Sequence, residues 1–179
     1  MVGALMAALL LAAVSLSACL HLPGFEGDPD LGLERVTVIQ VADGDTLVIE
    51  HEDGDQDRVR LIGIDCPEYN TPEGKDAATY VRMLLPEGSS VWLQKDVSEV
   101  DRYGRLLRYV WIEQPANTGD DEARAKMLNA LLLENGHAIA RGYEPDTRYE
   151  LLFAQLDAGK EPSDAERLLE EALELTRED

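Results

Sequence analysis

Asp43 and Asp45 flank a glycine, Asp65 and Glu68 flank Cys66-Pro67, and Arg60 lies between the two acidic pairs. Carboxylates are hard oxygen donors for a divalent cation, and a guanidinium fork grips phosphate oxygens while keeping its charge. Together they suit a divalent-metal and phosphate site. Histidine and cysteine offer no competing pattern. His21, His51 and His137 are scattered, and Cys19 and Cys66 stand far apart. A zinc hydrolase of the HExxH or CxxC kind and a disulfide framework are thereby excluded.

The elements that must position these groups read as extended. Arg35–Val41 and Thr46–Glu50 are rich in β-branched residues, with a turn at Asp43-Gly44-Asp45. His51–Asp57 is polar, carries Asp53-Gly54 and closes a second hairpin. Arg58–Ile64 is a third strand that delivers Asp65 just beyond its end. Arg58 is expected on the other face from Arg60, or near a strand end. Asp53, Asp55 and Asp57 begin like a calcium loop, but Arg58 and Ile64 stand where its glycine and closing glutamate belong, so the stretch reads as a solvated hairpin tip.

Further along, Tyr69–Gly74 is a loop and Lys75–Leu85 a helix stopped by Pro86-Glu87-Gly88. Val91–Lys95 and Leu106–Ile112 are the fourth and fifth strands, separated by a polar loop. Ala123–Asn135 is a helix with Gly136 as its C′ residue. Ala138–Tyr143 reads as extended, and a helix begins at Asp146 and runs through Leu156. Ser163-Asp-Ala-Glu166 is a capping box that opens a last amphipathic helix through Leu175. That last helix either packs on the core or binds a partner. Five short strands with a helix after the third fit an OB-type barrel.

Asp43-Gly-Asp-Thr46, Arg60, Asp65-Cys-Pro-Glu68 and Asp101-Arg-Tyr-Gly-Arg105 occur in the order, and near the spacing, of the secreted thermonucleases of the staphylococcal nuclease type. The chain resembles that family from about Arg35 to Pro145. Any one piece alone would be weak, since an Asp-Gly turn is usually only a turn. The resemblance implies an α+β chain: a five-stranded OB-fold β-barrel with about three helices, here with an extra C-terminal amphipathic helix. It implies a Ca2+-dependent endonuclease acting on DNA, RNA or both, and products ending in 3′-phosphates.

Residue by residue, the resemblance makes Asp45, Asp65 and the carbonyl of Cys66 the Ca2+ ligands. Asp43 and Thr46 support those ligands, Asp43 mainly as a turn residue. Glu68 is the general base or water-positioner, and Arg60 and Arg105 hold the phosphate. Arg102, Tyr103 and, more loosely, Tyr143 contact the nucleotide. Arg141 stands where the family carries a stacking aromatic. Cys66 itself is either a small buried residue or an exposed free thiol.

The 179 residues suit one domain plus an export segment and a tail. Residues 1–18 read as a signal peptide, 19–34 as a lipidated cysteine and tether, 35–145 as the nuclease-like core, and 146–179 as a C-terminal helical segment. Leu16-Ser-Ala-Cys19 looks like a lipobox, implying an exported protein anchored to a membrane by lipid at Cys19. No basic residue precedes the apolar run, which leaves open an uncleaved anchor or cleavage without lipid. No obligate protein partner is implied, and a monomer is expected.

Composition pulls the other way. A net charge of −20, from 36 acidic against 16 basic residues, repels a polyanion at long range. Lysine occurs only at Lys75, Lys95, Lys126 and Lys160, a pattern that resembles proteins of halophiles as well as ordinarily acidic ones. The alternative class is a non-catalytic OB-fold module binding nucleic acid or oligosaccharide. Degenerate domains of that kind lose the arginines or the metal carboxylates. This chain keeps Asp45, Arg60, Asp65, Glu68 and Arg105 together.

Overall fold

Alternate side chains of a strand face opposite sides, so Val36 and Val38, Leu47 and Ile49, and Val59 and Leu61 demand one shared interior. The computed structural model describes residues 31–159 and provides that interior as a closed barrel. Its strands are β1 (Leu33–Val41), β2 (Thr46–Glu50), β3 (Gln56–Leu61), β5 (Ser90–Gln94) and β6 (Leu106–Trp111). They pair in the order β1-β2-β3-β6-β5, and β5 returns to β1. Only β3 and β6 run parallel; the other pairs are antiparallel. Closure removes the sheet edges, and the inward residues above are all buried. This is the five-stranded α+β barrel expected.

Among the described residues four helices pack outside it: α1 (Pro72–Leu84), α2 (Asp120–Lys126), α3 (Leu128–Glu134) and α4 (Glu150–Ala158). A two-stranded ribbon joins β4 (Ile64–Asp65) to β7 (Ile139–Ala140). The signal peptide, Cys19, the tether up to residue 30 and the helix after Ser163 lie outside the described residues. The last two tether residues, Leu33 and Glu34, instead belong to β1, where they pair with Gln94 and Leu93 of β5.

Several boundaries differ from the sequence reading, each for a local reason. The third strand stops at Leu61, because Gly63 takes a left-handed φ of 77° and turns the chain. Asp65 therefore sits in β4, paired with Ile139, and is not simply the end of the third strand. Arg58 shares the outer side of β3 with Arg60, since residues two apart along a strand face the same way. Helix α1 begins at Pro72, where Thr71 caps it by accepting the Gly74 N–H, so the loop before it is shorter than expected.

The helix expected over 123–135 is two helices. Met127 adopts φ −93° and ψ 123° and bridges Trp111 at the end of β6. Its fully buried side chain and that bridge outweigh helix propensity. Gly136 does end α3 in the left-handed region, at φ 76°. Only Ile139 and Ala140 of the expected extended run form a strand.

The helix expected from Asp146 starts at Glu150, because Asp146 has other work. Its Oδ1 accepts the N–H groups of Val97 at 2.9 Å and Ser98 at 2.8 Å. Nearby, Asp96 Oδ2 accepts from Tyr109 and from the Arg148 N–H. The long β5–β6 loop is thereby pinned to the segment before α4. Tyr149, Leu152, Phe153 and Leu156 are buried in the core cluster, so packing reaches past the boundary drawn at 145.

Burial works against the Asp146 carboxylate, but the bonds from Ser98 and Val97 outweigh it and hold its pKa below the ordinary 3.8. A lowered folded pKa means this stabilisation is complete above the ordinary value and is lost as pH falls through the folded one. Asp146→Ala, which strands two loop N–H donors, is expected to cost about 2 kcal/mol near neutral pH. The gap in Tm between variant and wild type should close as pH falls below 3.8. Thermal melts across that range check it; a gap that persists in acid would assign the loss to packing.

Candidate active site

The turn after β1 brings the first carboxylates into place. The Ala42 N–H donates back to the Thr46 carbonyl, and Asp43 Oδ1 accepts the Asp45 N–H at 3.1 Å. Asp43 thus supports the turn. Gly44 is needed for close approach: a Cβ there would lie 2.8 Å from both Ala77 Cβ and Cys66 Sγ. Helix α1 and the Cys66 loop therefore press directly on the Asp-Gly-Asp turn. Asp45 is buried, its Oδ1 accepting from the Thr46 hydroxyl and its Oδ2 from the Cys66 N–H.

Arg60 ties the second acidic pair to the first. Its Nη1 donates to the carbonyls of Leu61 at 2.6 Å and Ile64 at 2.9 Å, strapping the Gly63 turn. Its Nη2 reaches Asp65 Oδ1 at 2.9 Å and Asp45 Oδ2 at 3.1 Å. Both carboxylates therefore converge on one cationic nitrogen. Asn129, buried in α3, fixes the same turn from behind, donating to the Ile62 carbonyl and accepting the Val110 N–H.

Arg105 arrives from the turn before β6. Asp101 Oδ1 accepts the Tyr103 and Arg105 N–H groups, and its Oδ2 takes Arg105 Nε at 2.7 Å. Arg105 Nη1 then reaches the Thr46 hydroxyl at 3.3 Å, which joins the two halves of the site. Burial opposes the charge on Asp101, but the bonds from Arg105 and Tyr103 hold its carboxyl below the usual range. Tyr103 is exposed, with the guanidinium groups of Arg102 and Arg105 over its ring at 4.7 and 5.5 Å.

Glu68 has an exposed side chain on a constrained backbone. Its carbonyl accepts both the N–H and the hydroxyl of Thr71, the α1 cap. Gly74, in the first turn of α1, lies so close that a Cβ there would be 2.1 Å from the Glu68 carbonyl oxygen. The helix start acts as the bracket for the Glu68 loop.

Asp43, Asp45, Arg60, Asp65, Cys66, Glu68, Arg102, Tyr103 and Arg105 all line one open cleft of about 340 Å³. Thr46 lies behind it, against Asp45 and Arg105. Tyr143 lines a neighbouring cavity of about 520 Å³, which shares Arg60, Tyr103 and Arg105 with the cleft. Cys66 is part-buried, and burial pushes its thiol well up, so it is neutral and adds no thiolate ligand.

The donor set fits Ca2+. Among the described residues, no three acidic, histidine or cysteine side chains gather as a ready cage. Two carboxylates that meet one cationic nitrogen, beside the Cys66 peptide, leave a Ca2+ shell to be completed by backbone, water and phosphate oxygens. Burial drives Asp45 up to about 6, against the pull of Arg60 and the Cys66 N–H. A buried carboxylate that pays for its charge in this way gains from a nearby cation.

Asp101, read from sequence only as part of a motif, and Arg141, read only as standing at a stacking position, take further roles here. Asp101 orients Arg105, and an acid four residues before an arginine across a glycine turn was the available signal. Arg141 Nη1 meets Asp65 Oδ2 at 2.6 Å from 76 residues away in sequence, a contact with no local signal.

A family profile described as "Staphylococcal nuclease homologue" matches residues 58–163. A thermonuclease of Staphylococcus intermedius is 37% identical over 139 residues, covering 74% of this chain and 75% of that protein. A thermonuclease of Staphylococcus hyicus is 38% identical over 119 residues, 63% of each chain. An endonuclease of Bacillus subtilis is 33% identical over 142 residues, 74% of this chain and 60% of that one. The chain thus spans three quarters of the first relative and under two thirds of the other two.

Proposed function

Since the chain belongs to the staphylococcal nuclease family, and is by that membership a nuclease, we propose that it is a Ca2+-dependent endonuclease that hydrolyses phosphodiester bonds of DNA, RNA or both outside the cytoplasm. The observation that carries the reading is the convergence of Asp45 and Asp65 on one cationic atom, inside a cleft that also holds Glu68 and Arg105. Export, with lipid on Cys19, rests on Leu16-Ser-Ala-Cys19. The mass of the mature N-terminus tests it, and an unmodified Cys19 would refute the anchor.

In-line hydrolysis needs a placed water, neutralised phosphoryl oxygens and a geometry that does not relax during reaction. Ca2+ held by Asp45, Asp65 and the Cys66 carbonyl would supply charge neutralisation at a phosphoryl oxygen. Arg60 and Arg105 donate N–H bonds to the other phosphoryl oxygens, and their forks are pre-aimed by Leu61, Ile64 and Asp101. Glu68 accepts a proton from the attacking water at a carboxylate oxygen, or orients that water, while the P–O bond opposite the water breaks and the leaving alkoxide takes a proton from solvent. Tyr103 presents an exposed ring to a base or sugar.

Digestion of single-stranded DNA by the purified protein, with Ca2+ and with chelator, is the test. Cleavage is expected with Ca2+ and absent with chelator, and Mg2+ should replace Ca2+ poorly because it demands stricter octahedral geometry. Full cleavage in chelator would overturn the metal assignment. Binding without cleavage in Ca2+ would favour the non-catalytic module.

A further inference from the structure

Both oxygens of Asp65 are taken by guanidinium groups, Arg60 on Oδ1 and Arg141 on Oδ2. The two arginines are held very differently. Arg60 is part-buried and also bonded to two backbone carbonyls, so it cannot leave without breaking the Gly63 turn. Arg141 has a fixed backbone, its N–H donating to the Gly63 carbonyl just after β7. Its side chain is 53% exposed, and among the described residues its guanidinium meets only Asp65 and, at 5.6 Å, the Tyr143 ring. An exposed ion pair on a flexible arm is easily exchanged.

We propose that Arg141 is an exchangeable counter-ion of Asp65, displaced by the cation and then used to bind a substrate phosphate beside the scissile one. The inference rests on Asp65 being a Ca2+ ligand, as argued above. Without the cation, Arg141 offsets the charge of Asp65 in an otherwise acid-rich cleft mouth. A doubly charged ion competes for the same oxygen and releases the guanidinium. Tyr143 then steadies the freed arm from beneath, beside the cavity that Tyr143 lines together with Tyr103. One residue thereby couples cation uptake to strand binding: whatever binds the freed arm disfavours its return to Asp65.

Calorimetry of Ca2+ binding to the full chain in detergent, without nucleic acid, is the first measurement. Arg141→Gln removes the competitor and is expected to tighten Ca2+ binding by about two- to fivefold, the range an exposed ion pair supplies. The second uses a short single-stranded DNA at saturating Ca2+, in a Glu68→Gln background to slow cleavage. There Arg141→Gln should weaken binding and lower the slope of log affinity against log salt by about 0.7, one phosphate contact. Opposite signs in the two assays separate this role from a structural one, which would weaken both. Unchanged or weaker Ca2+ binding overturns the counter-ion role, and an unchanged salt slope overturns the phosphate role. A wild-type protein that takes up no Ca2+ would overturn the metal assignment and this inference together; Ca2+ uptake indifferent to Arg141 overturns this inference alone.

Discussion

Replacing Arg60 with lysine is expected to lower kcat by about a hundredfold or more, the size of losing an aimed transition-state donor. Charge is retained, so the loss measures geometry. Arg60 makes four contacts at once: two to backbone carbonyls and two to carboxylates. Those contacts set the plane of the fork that faces the phosphate. A lysine ammonium is a point donor on a flexible stem and cannot reproduce them together. Arg105→Lys should fall by a similar factor, because Asp101 holds its Nε and the Thr46 hydroxyl its Nη1. Arg58→Lys is the internal control, on the same outer side of β3 but exposed and away from the cleft. Steady-state rates on single-stranded DNA decide it. Near-normal kcat in Arg60→Lys or Arg105→Lys would mean the phosphate lies elsewhere.

Glu68→Gln is expected to cost about 10²- to 10⁴-fold in kcat, the range for removing a positioned general base, with Ca2+ affinity little changed. The more discriminating variant is Gly74→Ala, which substitutes no cleft side chain. The added methyl would overlap the Glu68 carbonyl oxygen at 2.1 Å, and that atom is backbone, so the loop itself must shift. A loss of about tenfold in kcat is expected, since small misplacements of a catalytic group are costly. Combining the two closes the argument. If Gly74 acts through Glu68, Gly74→Ala should cost little more once Glu68 is glutamine. Fully additive losses would show that Gly74 serves only α1.

The acidity that counts against a nuclease is answered locally. Arg60, Arg102 and Arg105 all line the cleft, and Arg141 reaches its Asp65. A chain of net charge −20 thus gathers guanidinium groups where a phosphate would sit. Contacts there act at short range, where screening by salt is least effective, whereas the surrounding negative field acts at long range.

Sequence by itself determined the barrel strands, the closing hairpins and the family motifs. These rest on near-neighbour physics: alternation in Thr46–Glu50, glycine turns at Gly44 and Gly54, and apolar residues at helical spacing after the third strand. It also named nearly every group that lines the cleft, because motif residues lie within a few positions of one another.

Tertiary structure alone decided what depends on distant chain segments meeting. The break at Met127 comes from a bridge to Trp111, which helix periodicity cannot register. Asp146 is taken from the expected helix by the N–H groups of Val97 and Ser98, 49 and 48 residues away. Gly74 looks like an ordinary helix residue until the Glu68 carbonyl is placed against it. The Arg141–Asp65 pair exists only because β7 returns beside β4. Local propensity is written in successive residues, whereas a contact across 76 positions is set by how the barrel closes and what its ribbons bring together.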